Sequence, residues 1–145
     1  MNLNDSLNQM SKDLLDFFFP RHCPFCGRVS EKALLCEQCA RTLPRCAEVR
    51  TGPFGECAAP LYYEDAVRDA LLAFKFRGKV ENLNCFGALM AETAASAFAD
   101  RFDAVTWTPV SRKRLKKRGF DQSRMLCASL CVDWHTQPLE TLRKT

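Results

Sequence analysis

Apolar side chains recur at helical spacing over the first twenty residues, and they would share one face of a helix that ends before Pro20. They are the side chains of Leu3, Leu7, Met10, Leu14 and Phe17 or Phe18. We therefore predict an amphipathic helix over residues 1–20. Because its polar face is acidic rather than basic, we expect its apolar stripe to pack on the following domain rather than on a partner protein or a membrane.

Beyond residue 58, strand-like and helical segments alternate. The run from Ala59 to Tyr63 predicts a strand, and a helix is predicted from Asp65 with Gly78 just past its end. The apolar face of that helix contains Val67, Leu71 and Phe74. The alanine-rich run from Leu83 to Ala99 predicts a second helix.

The next segment places a strand directly before a basic run. Asp103 to Thr108 predicts a strand that Pro109 brings to an end, and a basic loop is predicted to follow at once. Gly119 gives the loop freedom to turn into a helix predicted from Phe120 to Trp134. Ligands of open α/β sheets bind beyond the carboxyl ends of strands, so this loop and the amides that begin the next helix are well placed to hold phosphate.

Four cysteines form two closely spaced pairs, Cys23-Pro-Phe-Cys26 and Cys36-Glu-Gln-Cys39. Each Cys-x-x-Cys knuckle turns two thiolates toward one ion, and four thiolates complete a tetrahedral zinc shell. Zinc bound in this way contributes on the order of 10 kcal/mol to folding, more than so small a segment would gain from its own core. The spacing therefore predicts a structural zinc site with these four cysteines as ligands.

The other cysteines leave alternatives open. A disulfide framework is disfavoured because the N-terminus does not resemble a secretory signal. Cys46 and Cys57 could be the remnant of a second zinc ribbon, although neither belongs to a Cys-x-x-Cys pair, and His22 could replace a ligand. The remaining thiols lie in helix-like, apolar segments and are predicted to be buried. They are those of Cys85, Cys127 and Cys131.

The composition is that of a folded protein. The chain has 145 residues, and a hydrophobic content of 47% argues against disorder. No run approaches the roughly 18 apolar residues of a membrane span, so we predict a soluble, cytoplasmic protein. The segment from Cys46 to Pro60 is rich in Gly and Pro and predicts an irregular connection. We therefore predict a zinc ribbon and connection over residues 21–58 and a second domain over residues 59–145.

The net charge of +4 is concentrated in one place. Between Val110 and Arg124 the only carboxylate is that of Asp121, whereas seven side chains are cationic. They are Arg112, Lys113, Arg114, Lys116, Lys117, Arg118 and Arg124. Such a patch is expected to meet phosphate on a small molecule or a nucleic acid, and the alternative is a solvated loop with no ligand.

Several short motifs follow the zinc knuckles in order. They are Ala59-Pro60-Leu61-Tyr62-Tyr63-Glu64, Phe74-Lys75-Phe76-Arg77-Gly78, Thr108-Pro109-Val110 and Arg118-Gly119-Phe120-Asp121-Gln122. This order resembles the ComF (ComF/GntX) family, whose members join an N-terminal zinc ribbon to a type I phosphoribosyltransferase-like domain. The resemblance spans residues 21–145. It implies an α/β fold in which the zinc ribbon precedes the first part of a phosphoribosyltransferase-like parallel sheet with flanking helices.

The resemblance also implies a ligand, phosphoribosyl pyrophosphate, with magnesium chelated by its diphosphate. Val110-Ser111-Arg112 matches the family's pyrophosphate loop, and Asp121 stands where the family commonly has Asn. No catalytic residue is assigned. The candidate phosphate-binding residues are Lys75, Arg77, Ser111, Arg112, Arg114, Arg118, Gly119 and Gln122.

One signature of type I phosphoribosyltransferases is absent from these 145 residues. It is a strand ending in two acidic residues, followed by a Thr- and Gly-rich loop that cradles the ribose 5-phosphate. We therefore expect the chain to be the first part of a longer domain, without transferase turnover of its own. By resemblance the protein is a phosphoribosyltransferase-like protein of DNA uptake and competence. The alternative is a zinc-ribbon adaptor that binds nucleic acid, such as single-stranded DNA, or a partner in the DNA-uptake machinery.

Overall fold

The computed structural model describes residues 20–30, 34–98 and 101–144. The helix predicted over residues 1–20 lies outside the described residues, apart from Pro20. The chain divides into two compact units, with the division between Thr42 and Leu43. The smaller unit contains the two cysteine knuckles and one short helix, α1 (Glu37–Thr42).

The larger unit begins with a β-hairpin. Strand β1 (Val49–Gly52) pairs antiparallel with β2 (Gly55–Ala58), and nearly all of its residues are exposed. This hairpin lies where an irregular connection was predicted, so that prediction is wrong. The chain turns between Gly52 and Gly55, and Gly55 has a φ of +115°, a backbone conformation that glycine reaches without strain.

Two predicted helices are confirmed in the larger unit. Helix α2 (Asp65–Phe76) buries Val67, Ala70, Ala73 and Phe74, and Gly78 follows its end with a φ of +67°. After a short 3-10 turn (Val80–Asn82), helix α3 (Leu83–Phe98) buries the apolar face expected of its alanine-rich sequence. The ring of Phe74 is fully buried and packs edge-on against Phe86 of α3, with the ring centroids 5.7 Å apart.

A short helix, α4 (Arg112–Arg118), precedes helix α5 (Gln122–Asp133), which packs along α3. The predicted helix from Phe120 to Trp134 is thus confirmed with slightly narrower bounds. A core cluster of Ala91, Cys127, Leu130 and Cys131 lies between α3 and α5. Val105 and Trp107 pack against this cluster from the segment that precedes α4.

Two predicted strands do not form strands. Leu61, within the run predicted as a strand, makes only an isolated bridge with Arg45. Within residues 103–108, Val105 and Trp107 are partly buried between exposed neighbours, but these residues belong to no ladder. An isolated segment of alternating residues becomes a strand only when a neighbour accepts its backbone hydrogen bonds.

Residues 103–108 nevertheless have an aligned neighbour. The backbone N–H of Leu139 donates to the carbonyl oxygen of Val105 at 2.8 Å, and the hydroxyls of Thr106 and Thr141 lie 2.8 Å apart. Residue numbers rise together along both segments, as they do between parallel strands. Within the described residues the ladder that forms is the antiparallel hairpin, and the parallel sheet stays a prediction.

The described helices are short or amphipathic. None of them combines the length and the apolar character that crossing a bilayer requires.

Candidate zinc centre and basic helix

The first knuckle is a tight turn closed by backbone hydrogen bonds. The N–H of Cys23 donates to the carbonyl oxygen of Arg28 at 2.8 Å, and that of Gly27 donates to the carbonyl oxygen of Cys23 at 2.9 Å. Gly27 has a φ of +72°, which most residues reach only with strain. The turn directs the thiols of Cys23 and Cys26 to the same side.

The second knuckle uses the start of a helix. Cys36 lies directly before α1, and Cys39 lies in its first turn. The backbone N–H of Cys39 reaches the Sγ atom of Cys36 at 3.5 Å, the kind of contact that stabilises a thiolate. Cys39 is buried, whereas Cys36 is partly exposed.

The four sulfur atoms converge on one point. The ligand atoms of Cys23, Cys26, Cys36 and Cys39 all lie within 4.8 Å of one another, and the Sγ atoms of Cys26 and Cys36 are 3.6 Å apart. Zinc–sulfur bonds of about 2.3 Å in a tetrahedron place the sulfurs about 3.8 Å apart. The four cysteines therefore form a zinc-ribbon-like site, and their spacing fits that ion.

The thiols at this site differ in how readily they ionise. Burial of the Cys23 thiol opposes its ionisation, but backbone hydrogen bonds from Cys36, Phe25 and Cys26 outweigh burial and lower its pKa to about 7. Burial, followed by the neighbouring thiols, raises the pKa of Cys39. Four thiols this close cannot all become thiolates unless a cation compensates their charge, which is what zinc supplies when bound.

The described residues contain no other comparable metal-binding group. Across residues 20–30, 34–98 and 101–144, the four knuckle cysteines form the one cluster of three or more potential ligands close enough to share an ion. His22 pairs with Val29 in an isolated bridge and is outside this cluster. Cys46 and Cys57 are outside it too, so the structure does not support a second zinc site at these two residues.

The basic segment forms helix α4 rather than the predicted loop. The Ser111 hydroxyl caps the helix by accepting the backbone N–H of Arg114 at 3.4 Å, and Gly119 ends it with a φ of +81°. This segment forms a helix rather than a loop because Ser111 and Gly119 supply start and stop signals, and because Arg, Lys and Leu all favour the helical conformation. Ser111 and Gly119, which the sequence analysis assigns to a phosphate loop, are therefore the start and stop signals of a helix.

Helix α4 presents a broad cationic face. Five of its cationic side chains are exposed, and no carboxylate forms an ion pair with any of them among the described residues. These side chains are those of Arg112, Lys113, Arg114, Lys116 and Lys117. At 100° per residue they spread over about 200° of the helix circumference. Asp121 forms no ion pair with them; its carboxylate caps α5 by accepting the backbone N–H of Arg124 at 3.1 Å.

Arg118, at the end of α4, differs from those five. Its Nη1 donates to Oε1 of Gln122 at 2.7 Å, and its guanidinium carbon lies 5.0 Å from the centre of the Phe76 ring. Gln122 in turn donates to the backbone carbonyl of Lys75 at 2.8 Å. The structure thus brings the two predicted motifs, at the end of α2 and at the end of α4, into contact.

The two predicted cations of α2 remain on the surface. Lys75 and Arg77 are both exposed, and Nη2 of Arg77 donates to the backbone carbonyl of Asp69 at 3.3 Å. Phe76, between them, is 65% exposed and carries the guanidinium of Arg118 on its ring. The local sequence gives no sign of this cation–π contact, because Arg118 lies far from Phe76 along the chain.

Comparison with known proteins finds a matching domain family and a similar curated protein. Residues 14–70 match the double zinc ribbon domain. The chain is 30% identical to the competence protein ComFC of Bacillus subtilis (strain 168) over 112 residues, which cover 77% of this chain and 45% of that protein. The chain therefore spans less than half the length of this relative. No solved structure matches the chain significantly.

Proposed function

Since this chain belongs to the ComF family and carries a zinc ribbon, we propose that it acts in DNA uptake during competence through a phosphate-binding surface on helix α4. The observation that carries the proposal is the set of five exposed cations on α4 that have no carboxylate partner among the described residues. Concentrated positive charge without internal compensation attracts anionic ligands.

The position of α4 supports a phosphoribosyltransferase-like site. Helix α4 follows residues 103–108, whose aligned neighbour at Leu139 runs in the same direction. We propose that these two segments are the first neighbours of a parallel sheet. Helix α4 would then lie beyond the carboxyl end of a strand, where such sheets bind their ligands.

The proposed small ligand is the diphosphate of phosphoribosyl pyrophosphate. Arg112 and Arg114 lie in the first turn of α4 with exposed side chains, and guanidinium donors suit the oxygens of a diphosphate. Magnesium would arrive chelated by that diphosphate. We propose binding rather than turnover by these 145 residues, in which the acidic, Thr- and Gly-rich phosphate loop is absent.

A second candidate is binding of single-stranded DNA, and the distribution of charge favours it. A pocket for one diphosphate needs cations that converge on one point, whereas the five exposed cations of α4 spread over about 200° of its circumference. Charges spread in this way can follow a phosphate backbone. The zinc ribbon would then serve as part of an adaptor for nucleic acid or a DNA-processing partner.

One titration series tests both candidates. The zinc-loaded protein is titrated with magnesium phosphoribosyl pyrophosphate and with a labelled oligothymidylate of about 20 nucleotides at low salt. We expect the double variant Arg112→Gln/Arg114→Gln to lose diphosphate binding and to weaken DNA binding. The control Arg68→Gln/Arg143→Gln removes the same charge from exposed positions outside α4 and should bind like the wild type.

The outcomes separate the candidates. Binding of phosphoribosyl pyrophosphate that depends on Arg112 and Arg114 supports the transferase-like site. DNA binding that falls steeply with salt, without binding of the small ligand, supports the adaptor. If neither ligand binds at low salt, or if the control variant loses binding equally, the proposed function is wrong.

A further inference from the structure

A buried glutamine joins the basic helix to the end of α2. Gln122 is 6% exposed, and both ends of its side-chain amide are bonded. Its oxygen accepts from Nη1 of Arg118 at 2.7 Å, and its nitrogen donates to the carbonyl oxygen of Lys75 at 2.8 Å. The contact links parts of the chain that are 47 residues apart.

Each of these bonds satisfies a group that would otherwise lack a partner. Lys75 lies in the last turn of α2, where backbone carbonyls have no N–H from their own helix. Arg118 brings positive charge close to this end, which is the negative end of the helix dipole. The amide of Gln122 serves both groups: its oxygen accepts a hydrogen bond from Arg118, and its nitrogen donates one to the carbonyl oxygen of Lys75.

Arg118 is held from two sides. The ring of Phe76 lies under its guanidinium at 5.0 Å, and Gln122 fixes its Nη1. Phe74, two residues before Phe76, and Phe120, two residues after Arg118, also pack together, with their ring centroids 6.1 Å apart. Arg118 is accordingly half-buried, whereas the other cations of α4 are exposed.

We propose that Arg118 and Gln122 are positioning residues rather than phosphate ligands. Together with Phe76 they clamp the C-terminal end of α4 onto α2, so that Lys75 and the free cations of α4 form one continuous anion-binding surface. This inference rests on the proposed function, because it assumes that the surface binds phosphate. The sequence predicts Arg118 and Gln122 as direct phosphate contacts, whereas the clamp gives both residues a positioning role.

The clamp predicts that position 122 requires an amide. A glutamate there would still accept from Arg118, but it would place a carboxylate oxygen against the carbonyl oxygen of Lys75. A leucine would lose both bonds. Gln122→Glu therefore removes only the bond to Lys75, whereas Gln122→Leu removes the bonds to both Lys75 and Arg118.

The salt dependence of binding distinguishes a ligand from a positioning residue. Each phosphate contact contributes about 0.7 to the slope of log affinity against log salt on single-stranded DNA. With the oligothymidylate probe, we expect Arg114→Met to lower the slope by about that amount. We expect Arg118→Met to weaken binding while leaving the slope unchanged. Equal losses of slope in both variants would overturn the clamp.

A second readout does not depend on any ligand. In the NMR spectrum of the zinc-loaded protein, the guanidinium protons of Arg118 should exchange slowly, unlike those of Arg112. Gln122→Glu should keep this protection and Gln122→Leu should abolish it. If Gln122→Leu does not fold, Gln122→Glu and Arg118→Met still decide the matter. An Arg118 signal as mobile as that of Arg112 in the wild type would refute the clamp.

The two failures are distinguishable. If the wild type binds neither DNA nor phosphoribosyl pyrophosphate while Arg118 is protected, the proposed function fails and the clamp stands as a structural feature only. If the wild type binds and Arg118 is mobile, the function stands and the clamp fails.

Discussion

At the scale of single residues, the thiol of Cys127 shows how burial changes chemistry. Its side chain lies between α3 and α5, and the residue is 5% exposed. Burial, with a smaller contribution from Cys131, raises the pKa of the Cys127 thiol from 9.0 to about 11. A buried thiol of this kind is protonated at neutral pH and is a poor nucleophile.

This shift predicts a loss of stability in alkaline solution. The folded state keeps the Cys127 proton in a range where the unfolded state has lost it, so stability is unaffected below about pH 9 and falls as the pH rises toward 11. The expected fall is about 2 to 3 kcal/mol in the free energy of unfolding. Urea unfolding at several pH values measures it, and Cys127→Ala should decline less steeply. An equally steep decline in that variant would exclude Cys127 as the cause.

Asp121 carries a second prediction at this scale. Because its carboxylate caps α5, Asp121→Ala should lower the free energy of unfolding by about 1 kcal/mol. Asp121→Asn should retain the cap, since an amide oxygen can accept the same N–H. It should also strengthen phosphate binding, because a negative charge beside α4 is removed. Thermal melts and the oligothymidylate titration check both effects, and an Asn variant as unstable as the Ala variant would contradict the assignment.

Single residues also show what the sequence could establish at the candidate site. The four zinc ligands were identifiable because two Cys-x-x-Cys pairs specify their geometry locally. The bond between Gln122 and Lys75 could not be identified from the sequence, because it joins residues far apart in the chain. Local spacing thus predicts the zinc centre, whereas the basic surface depends on tertiary contacts.

At the scale of elements, α3 and α5 approach closely at a glycine. A Cβ atom added to Gly87 would lie 2.1 Å from Oγ and 2.6 Å from Cβ of Ser129. The Ser129 hydroxyl donates to the carbonyl oxygen of Leu83 at 3.4 Å across the same interface. The two helices therefore pack at a distance that only glycine permits at position 87.

This packing reverses the usual effect of glycine in a helix. Gly→Ala within a helix ordinarily stabilises by about 1 kcal/mol. Gly87→Ala should instead destabilise by about 1 to 3 kcal/mol, because the methyl group overpacks the interface. Chemical denaturation measures the change, and the double variant Gly87→Ala/Ser129→Gly should recover part of the loss. A stabilised Gly87→Ala would show that the helices do not approach so closely.

The elements were predicted unevenly, and the reason is physical. Helices α2, α3 and α5 were predictable because their hydrogen bonds are local and their apolar faces repeat at helical spacing. The strands could not be predicted, because a strand depends on a hydrogen-bonded neighbour that the local sequence does not identify. The hairpin was missed because Gly52, Pro53 and Gly55 suggested a loop, whereas they form its turn.

At the scale of the whole molecule, the two units have different sources of stability. The smaller unit contains the four-thiol site, whereas the larger unit has an apolar core between α3 and α5. A structural zinc ion contributes on the order of 10 kcal/mol to such a site. We therefore expect the smaller unit to depend on metal and the larger unit to depend on burial.

Metal removal should then affect the two units unequally. Chelation at neutral pH should unfold the region around the knuckles while most of the helical circular dichroism of the larger unit remains. Cys36→Ser/Cys39→Ser should behave in the same way with zinc present, and Cys57→Ser is the matched control that leaves the site intact. Mass spectrometry under native conditions should find one zinc per chain. A complete loss of helical signal on chelation would show that the two units fold as one.

The burial of three cysteines in the larger unit allows its unfolding to be followed by counting the thiols that react with an alkylating reagent. Cys85, Cys127 and Cys131 are buried among apolar side chains, and Cys57 is exposed. A thiol-alkylating reagent would first add two mass increments, at Cys57 and at the partly exposed Cys46, then four when the metal is lost and three only when the helices separate. The number of labels per molecule would therefore tell an experimenter which unit opened first, with no probe introduced into the chain.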